Sequence, residues 1–314
     1  MMKKFAAMLL TGVMVFSLSA CGGSTGASSD SAPAAEEPAA EAPAADAAAE
    51  APAADAAAEA PAADAAAEAP AADAAADTEF IVGFDAEYPP YGYLDEATGD
   101  YTGFDLQLAE ELCKRRGWTL VKQPINWDNK DAELDSGTID CIWNGMTYST
   151  PERINAYTWS KPYVNNSIVI AVVADSDIQT PADLAGKVVI AQSNSSAEDA
   201  LKSDELAELA GTFAELQRNP SYDTCFMDLK AGAVDAVAVD IGVARYQMRN
   251  NPDTFRILDE PISTEQYAIA FKLGNEALRD QVQETYDEML ADGTVMKIAQ
   301  NYADDNLPDM LITE

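Results

Sequence analysis

Arg153, Asp85 and Asp240 are the residues of this 314-residue chain whose types and settings offer the clearest chemistry. Arg153 stands in Thr150-Pro151-Glu152-Arg153. Thr150 is a good N-cap, Pro151 suits a first helical position, and Glu152 complements the positive end of the dipole. The pattern predicts a helix starting there, with Arg153 in its first turn. A guanidinium beside free backbone N–H groups can grip a carboxylate through two parallel hydrogen bonds. The plainer alternative is a solvated arginine on an exposed helix. Asp85 follows the apolar run Phe80-Ile81-Val82-Gly83-Phe84, and Asp240 follows Val237-Ala238-Val239. Both sit where open parallel sheets bind ligands, just beyond the carboxyl ends of strands. The turn Asn144-Gly145-Met146-Thr147, after Trp143, has the same setting. For Asp240 the alternative is a helix N-cap ahead of Ile241.

Composition removes several kinds of chemistry. The chain contains no histidine, so imidazole metal sites and histidine general bases are excluded. No cofactor and no metal are expected, and no nucleophile with an adjacent base stands out. A net charge of -35 leaves no basic surface for phosphates, which argues against nucleic acid and against charge-driven binding to anionic lipid. Attachment to a membrane has to come from something covalent. Cys113, Cys141 and Cys225 sit in apolar helix or strand contexts and read as three buried thiols, with a Cys113 to Cys141 pair left open.

The elements that must position these residues read as an α/β chain. An apolar strand at 79–84 leads to a helix at about 103–116, where Phe104, Leu108, Ala109 and Leu112 recur at helical spacing and Gly117 stops it. A strand at 118–123, a helix at 128–136 and a strand at 139–143 follow, the order of a parallel sheet. A long apolar strand from Ser167 to Ala174 opens a second series. Its strands are expected at 187–191, 212–216, 234–239 and 255–258, with helices near 196–202, 221–231 and 241–250. Another long strand, Gln266 to Phe271, precedes a helix at about 275–291 with Leu278, Val282, Tyr286 and Met289 on one face. Two strands bracketing the second series imply a double crossing between two lobes, 79–166 with 266–314, and 167–265.

Ahead of the folded part, Lys3 and Lys4 precede an apolar run from Phe5 to Leu18, too short for an ordinary transmembrane helix, ending in Leu18-Ser19-Ala20-Cys21. This resembles a bacterial lipoprotein signal, which implies cleavage after residue 20 and acylation of Cys21. Residues 21–78 contain nine-residue copies of Ala-Glu-Ala-Pro-Ala-Ala-Asp-Ala-Ala beginning at Ala40, Ala49, Ala58 and Ala67. Alanine buries too little to form a core and each proline interrupts a helix, so the tract reads as a disordered acidic tether.

Asn144-Gly145-Met146-Thr147, Pro151-Glu152-Arg153 and Trp159-Ser160-Lys161-Pro162-Tyr163 together resemble the signature of polar amino-acid-binding proteins of bacterial ABC importers, extracellular solute-binding protein family 3. Asp85 with Tyr88-Pro89-Pro90-Tyr91, Gly103-Phe104-Asp105, Ser136-Gly137-Thr138-Ile139-Asp140, Asp183-Leu184-Ala185-Gly186-Lys187, Ala231 to Ala236 with Asp240, and Asp292-Gly293-Thr294 follow in the family's order, so the likeness spans about residues 79–303.

The resemblance implies a two-lobed, periplasmic-binding-protein-like type II fold that holds a free L-amino acid between its lobes and serves an ABC permease and its ATPase, as a monomer. It gives Arg153 the α-carboxylate, with Thr147 and the backbone at Gly145, and Asp240 the α-ammonium. The hydroxyl-rich loop Gln192 to Ser196 faces them, with Ser196 also readable as a helix N-cap. Asp85 faces the ligand side chain, while Tyr88 and Trp127 stack on it and Trp143 is a further wall. Tyr88 and Trp127 also read as ordinary partly buried aromatics. Two departures matter: one extra residue between Thr147 and Arg153 brings Ser149 into contention, and Asn194 stands where the family often has glycine. Asp85 with Glu87 nearby disfavours an acidic ligand and leaves neutral polar or cationic amino acids. The same fold has occasional catalytic members, including dehydratases and peptidoglycan lyases, in which Asp85 or Glu87 would act as acid or base. A sensor or adhesin lipoprotein without a permease is a third reading.

Overall fold

A computed structural model describes residues 78–313. The expected leader, Cys21 and the repeat tract lie outside the described residues, apart from Thr78. No described helix is long and apolar enough to cross a membrane.

The first lobe opens with β1 (Glu79–Phe84), whose Phe80, Val82 and Phe84 are buried. A small meander of β2 (Glu87–Tyr88), β3 (Gly92–Asp95) and β4 (Asp100–Thr102) leads to α1 (Phe104–Arg116). The expected apolar stripe of α1 is its buried face, and Gly117 ends the helix in the left-handed conformation at φ 67°, which glycine adopts without a Cβ clash. Next come β5 (Thr119–Pro124), α2 (Lys130–Ser136), β6 (Cys141–Ile142), α3 (Pro151–Ala156) and β7 (Tyr157–Trp159). β1 pairs in parallel with β5 and β6.

The chain then passes into the second lobe through β8 (Val164–Val173), its longest strand. There β9 (Val188–Gln192), α4 (Ser196–Lys202), α5 (Ala207–Ala210), β10 (Glu215–Asn219), α6 (Tyr222–Ala231), β11 (Ala236–Asp240), α7 (Ile241–Asn250) and β12 (Phe255–Ile257) form a sheet of order β10-β9-β11-β8-β12. β13 (Ser263–Tyr267) lies antiparallel along the first part of β8. The chain returns through β14 (Ala270–Lys272) into a first-lobe sheet of order β5-β1-β6-β14-β7, and α8 (Glu276–Ala291), α9 (Thr294–Ala299) and α10 (Leu307–Met310) close that lobe.

Several elements differ from expectation: β8 begins at Val164 rather than Ser167, β6 spans Cys141–Ile142 rather than 139–143, and two further differences have a plain cause. The strand expected at 212–216 lies at Glu215–Asn219, because Thr212 and Phe213 complete a turn after α5, donating backbone N–H groups to Leu209 and Ala210. The single strand expected from Gln266 to Phe271 is two strands belonging to two sheets. Between them Ala268 donates to the Met146 carbonyl at 2.9 Å and Ile269 to Ser160 Oγ at 2.8 Å. A run of apolar residues carries no mark of where it changes partners, so only the tertiary pairing locates the crossing.

The lobes meet directly along a tyrosine seam, Tyr88 with Tyr222 (6.1 Å between ring centroids) and Tyr93 with Tyr246 (5.5 Å), and Tyr267 at the end of the returning strand packs on Tyr91 (5.2 Å) beside it. Cys113, Cys141 and Cys225 are free and buried, as preferred from their apolar settings.

Candidate functional site

Four carboxyl ends of parallel strands converge on the gap between the lobes. Asp85 follows β1, Asn144-Gly145-Met146-Thr147 follows β6, Gln192 ends β9 and Asp240 ends β11. This is where an open α/β sheet places its ligand.

Thr150 caps α3, its Oγ1 accepting from Arg153 N at 3.3 Å, and Trp159 Nε1 donates to the Arg153 carbonyl at 3.1 Å. Arg153 thus lies in the first turn of a short helix held at its start by Thr150 and by Trp159. Its side chain is 12% exposed and reaches across the gap to α4, where Nη2 and Nε donate to Asp199 Oδ2 at 2.7 and 3.1 Å. Nη2 also donates to the Asn194 carbonyl at 3.3 Å. The helix itself is exposed, while the Arg153 side chain is held against the second lobe.

The turn after β6 is held by a buried acid. Asp105 Oδ2 accepts from Gly145 N at 2.7 Å and from Tyr163 OH at 2.8 Å, tying α1, the turn and the crossover together. Gly145 has φ 58°, and a Cβ there would lie 2.9 Å from Tyr88 Cε1 and 3.0 Å from Tyr267 Cε2, so no other residue fits without displacing the seam. Thr147 Oγ1 donates to Glu265 Oε1 at 3.0 Å, and Ser149 lines a 220 Å³ cavity with Arg153.

Asp85 spans the lobes as well. Its Oδ1 accepts from Glu87 N at 2.9 Å and its Oδ2 from Gln192 Nε2 at 2.6 Å. Burial drives its carboxyl up to about 6, against these two hydrogen bonds. Trp127 Nε1 donates to the Asn194 carbonyl at 3.2 Å, and Lys130 lies 5.1 Å over the Trp127 ring. Tyr88 OH is 3.1 Å from Tyr267 OH. Trp143 belongs to the apolar core of the first lobe, with its indole N–H unpartnered.

In the second lobe the helix cap of α4 is Ser195, not Ser196. Ser195 Oγ accepts from Glu198 N at 3.2 Å, which leaves the Ser196 hydroxyl free to donate to Glu265 Oε1 at 3.1 Å. Asn194 takes the left-handed conformation at φ 55°, the conformation a glycine would favour. Its Nδ2 donates to Asp128 Oδ1 at 2.7 Å across the gap. Asn194→Ala is expected to lower stability by about 1–2 kcal/mol and Asn194→Gly by less, measured as urea midpoints, because alanine lacks the local hydrogen bonding that eases this conformation. Equal losses would mean that the side-chain bond to Asp128, and not backbone strain, sets the cost.

Asp240 stands at the N-cap position of α7, as the alternative had it, but its side chain makes no capping hydrogen bond. It is fully buried, accepting from Tyr267 OH at 2.5 Å, Asn166 Nδ2 at 2.7 Å and Tyr222 OH at 3.5 Å, and burial raises its pKa. The same Asn166 Nδ2 donates to Glu265 Oε1 at 2.8 Å. Burial, and then the neighbouring Asp240, push Glu265 up to about 8. Sequence reasoning missed Glu265, Asn166, Tyr267 and Asp199. A signal existed for two of them: alternation along Ser263–Tyr267 puts Glu265 and Tyr267 on the buried face. A lobe boundary drawn at residue 265 cut through that strand.

The gap thus carries Arg153 and Asp85 on the first-lobe wall, Asp240 and Glu265 on the second-lobe side, and hydroxyls and amides between. That donor set can hold a small zwitterion. It contains no group of three or more metal-ligating side chains among the described residues.

The family model of bacterial extracellular solute-binding proteins, family 3, matches residues 80–305. Among curated relatives, the L-cystine-binding protein TcyJ of Escherichia coli K12 is 30% identical over 224 residues, covering 71% of this chain and 81% of its own. The arginine-binding extracellular protein ArtP of Bacillus subtilis is 31% identical over 227 residues, covering 71% and 86%. Among solved structures, an ABC uptake transporter substrate-binding protein of Streptococcus pneumoniae with bound histidine superposes at a TM-score of 0.68 with 29% identity, covering 71% of this chain and 92% of its own. With sequence, fold and the placing of the strand ends in agreement, the chain belongs to family 3 of the bacterial extracellular solute-binding proteins.

Proposed function

We propose that this protein captures a free L-amino acid, neutral polar or cationic, between its two lobes outside the cytoplasmic membrane and delivers it to an ABC permease and its ATPase. As a member of a solute-binding family it is not an enzyme. The observation that carries the proposal is the distribution of charge across the gap: Arg153 on the first lobe, and Asp240 with Glu265 buried on the second-lobe side. In this reading Arg153 holds the α-carboxylate with Thr147 or Ser149, Gly145 N–H and Ser196. Asp240 holds the α-ammonium, and Asp85, Gln192, Tyr88 and Trp127 surround the side chain. Trp143 supports the Asn144-Gly145 turn. The lobes are 79–166 with 266–314 and 167–265, with β8 and β13 running across those bounds as the two crossing strands. A monomer anchored by lipid on Cys21, with residues 21–78 as tether, completes the proposal.

Closure follows from differential contact: a ligand touching both lobes favours the state in which they meet. The test is a thermal-shift screen of the twenty amino acids and L-cystine. A ligand at 100 times its Kd stabilises by about 2.7 kcal/mol, which corresponds to roughly 5–10 °C for a folded part of this size. No shift with any of them would remove the proposal.

A further inference from the structure

Resting on the reading of the gap as an amino-acid site, we infer that Glu265 is a second acidic partner for the ammonium group of the bound amino acid, sharing it with Asp240. The geometry that points there is an acid pair joined by one amide. Asn166 Nδ2 donates to Asp240 Oδ1 at 2.7 Å and to Glu265 Oε1 at 2.8 Å, so two buried carboxylates approach a common donor. The Arg153 guanidinium, the cation on the facing wall, is engaged by Asp199. Two adjacent carboxylates in a desolvated setting repel each other, and an ammonium between them relieves both.

The count of hydrogen-bond donors leads to the same place. Glu265 Oε1 accepts from the hydroxyls of Thr147 and Ser196 at 3.0 and 3.1 Å, and each hydroxyl has a single proton. A ligand carboxylate drawn to Arg153 enters the 220 Å³ cavity that Ser149, Arg153, Ser196 and Glu265 line, and competes for those protons. Glu265 then loses both hydroxyl donors, keeping the Asn166 amide alone, unless the ligand returns them. An ammonium carries three, enough to serve Asp240, Glu265 and one further acceptor. The amino acid thus exchanges partners with the site: its carboxylate takes the hydroxyls and its ammonium replaces them at Glu265. Such a pair also rejects anionic side chains near the α-carbon.

Calorimetry on the wild-type protein and Glu265→Gln tests this with L-arginine, L-histidine and L-cystine and with their analogues lacking the α-amino groups. For each amino acid the wild type binds, the substitution is expected to weaken binding roughly 30- to 100-fold. The matching analogue should change less than about threefold. Amino acid and analogue weakened alike, neither weakened, or both strengthened would overturn the assignment. The last result would make Glu265 a plug that competes with the ligand carboxylate. Repeating the titrations in buffers of different ionisation enthalpy gives a second readout. Near pH 7 the wild type should release a proton on binding that Glu265→Gln does not, and equal release would count against the assignment. A melting temperature for Glu265→Gln no lower than wild type shows that the fold is kept. Failure of the wild type to bind any of the three is a separate outcome, which removes the amino-acid reading itself.

Discussion

Replacing Arg153 with alanine is expected to abolish amino-acid binding, weakening it by roughly 30- to 1000-fold in calorimetry. The argument is one of pairing. Its guanidinium bridges the lobes at the gap, touching Asp199 and the Asn194 carbonyl from a helix of the opposite lobe. A ligand carboxylate brought into the gap without it meets Asp85, Asp240 and Glu265 with the Arg153 fork gone, Lys130 beside Trp127 being the cation left nearby. Arg153→Lys keeps the charge but not the forked geometry, so its affinity should fall between wild type and alanine. The melting temperature without amino acid should move little, because the partner Asp199 is 44% exposed and an ion pair open to water contributes only about 0–1 kcal/mol. Wild-type affinity in Arg153→Ala would show that the carboxylate lies elsewhere.

The second large effect is on stability with pH, and it runs opposite to the usual one for paired carboxylates, whose folded pKa is lowered. Glu265 rises from 4.5 to about 8, Asp105 from 3.8 to about 7 and Asp85 from 3.8 to about 6, in each case first through burial, and Asp240 is raised as well. A carboxyl with a raised folded pKa keeps a proton that the unfolded chain has already lost. Between about pH 4.5 and 8 the folded protein therefore binds more protons than the unfolded one, and stability falls as pH rises through that window.

The groups facing these acids do not reverse the effect. Glu265 meets Asp240 and, more weakly, Arg153; Asp105 meets the Tyr163 hydroxyl and Gly145 N–H; Asp85 meets Glu87, Asp223 and Gln192. At the acid end Asp292, held near 2 by Thr294 and Arg115, and the lowered Asp183 and Glu111 lose their contribution as pH falls. Stability should therefore peak near pH 5 and drop by a few kcal/mol by pH 8.5, read as urea midpoints. A midpoint that climbs from pH 5 to pH 8.5 would show that the buried acids are ionised at no cost. Because an ammonium beside Glu265 and Asp240 favours their charged forms, amino-acid affinity should rise over the same interval.

Much of this protein was open to reading from sequence because its signals are local. Thr150-Pro151 starts α3, Phe104, Leu108 and Leu112 mark the buried face of α1, and Gly117 stops it, each within one or two helical turns. Apolar runs ending at Asp85 and Asp240 announced strands whose ends carry polar groups. What tertiary structure alone decided is which distant groups share a hydrogen bond. Glu265 meets Thr147 across 118 positions and Asn166 across 99, and Arg153 meets Asp199 across 46. No periodicity encodes such separations, because register and sheet exchange set them after the local elements exist. The same physics moved the helix cap from Ser196 to Ser195 and divided one apolar run between two sheets. In each case local propensity admits two neighbouring choices, and packing against the other lobe selects one.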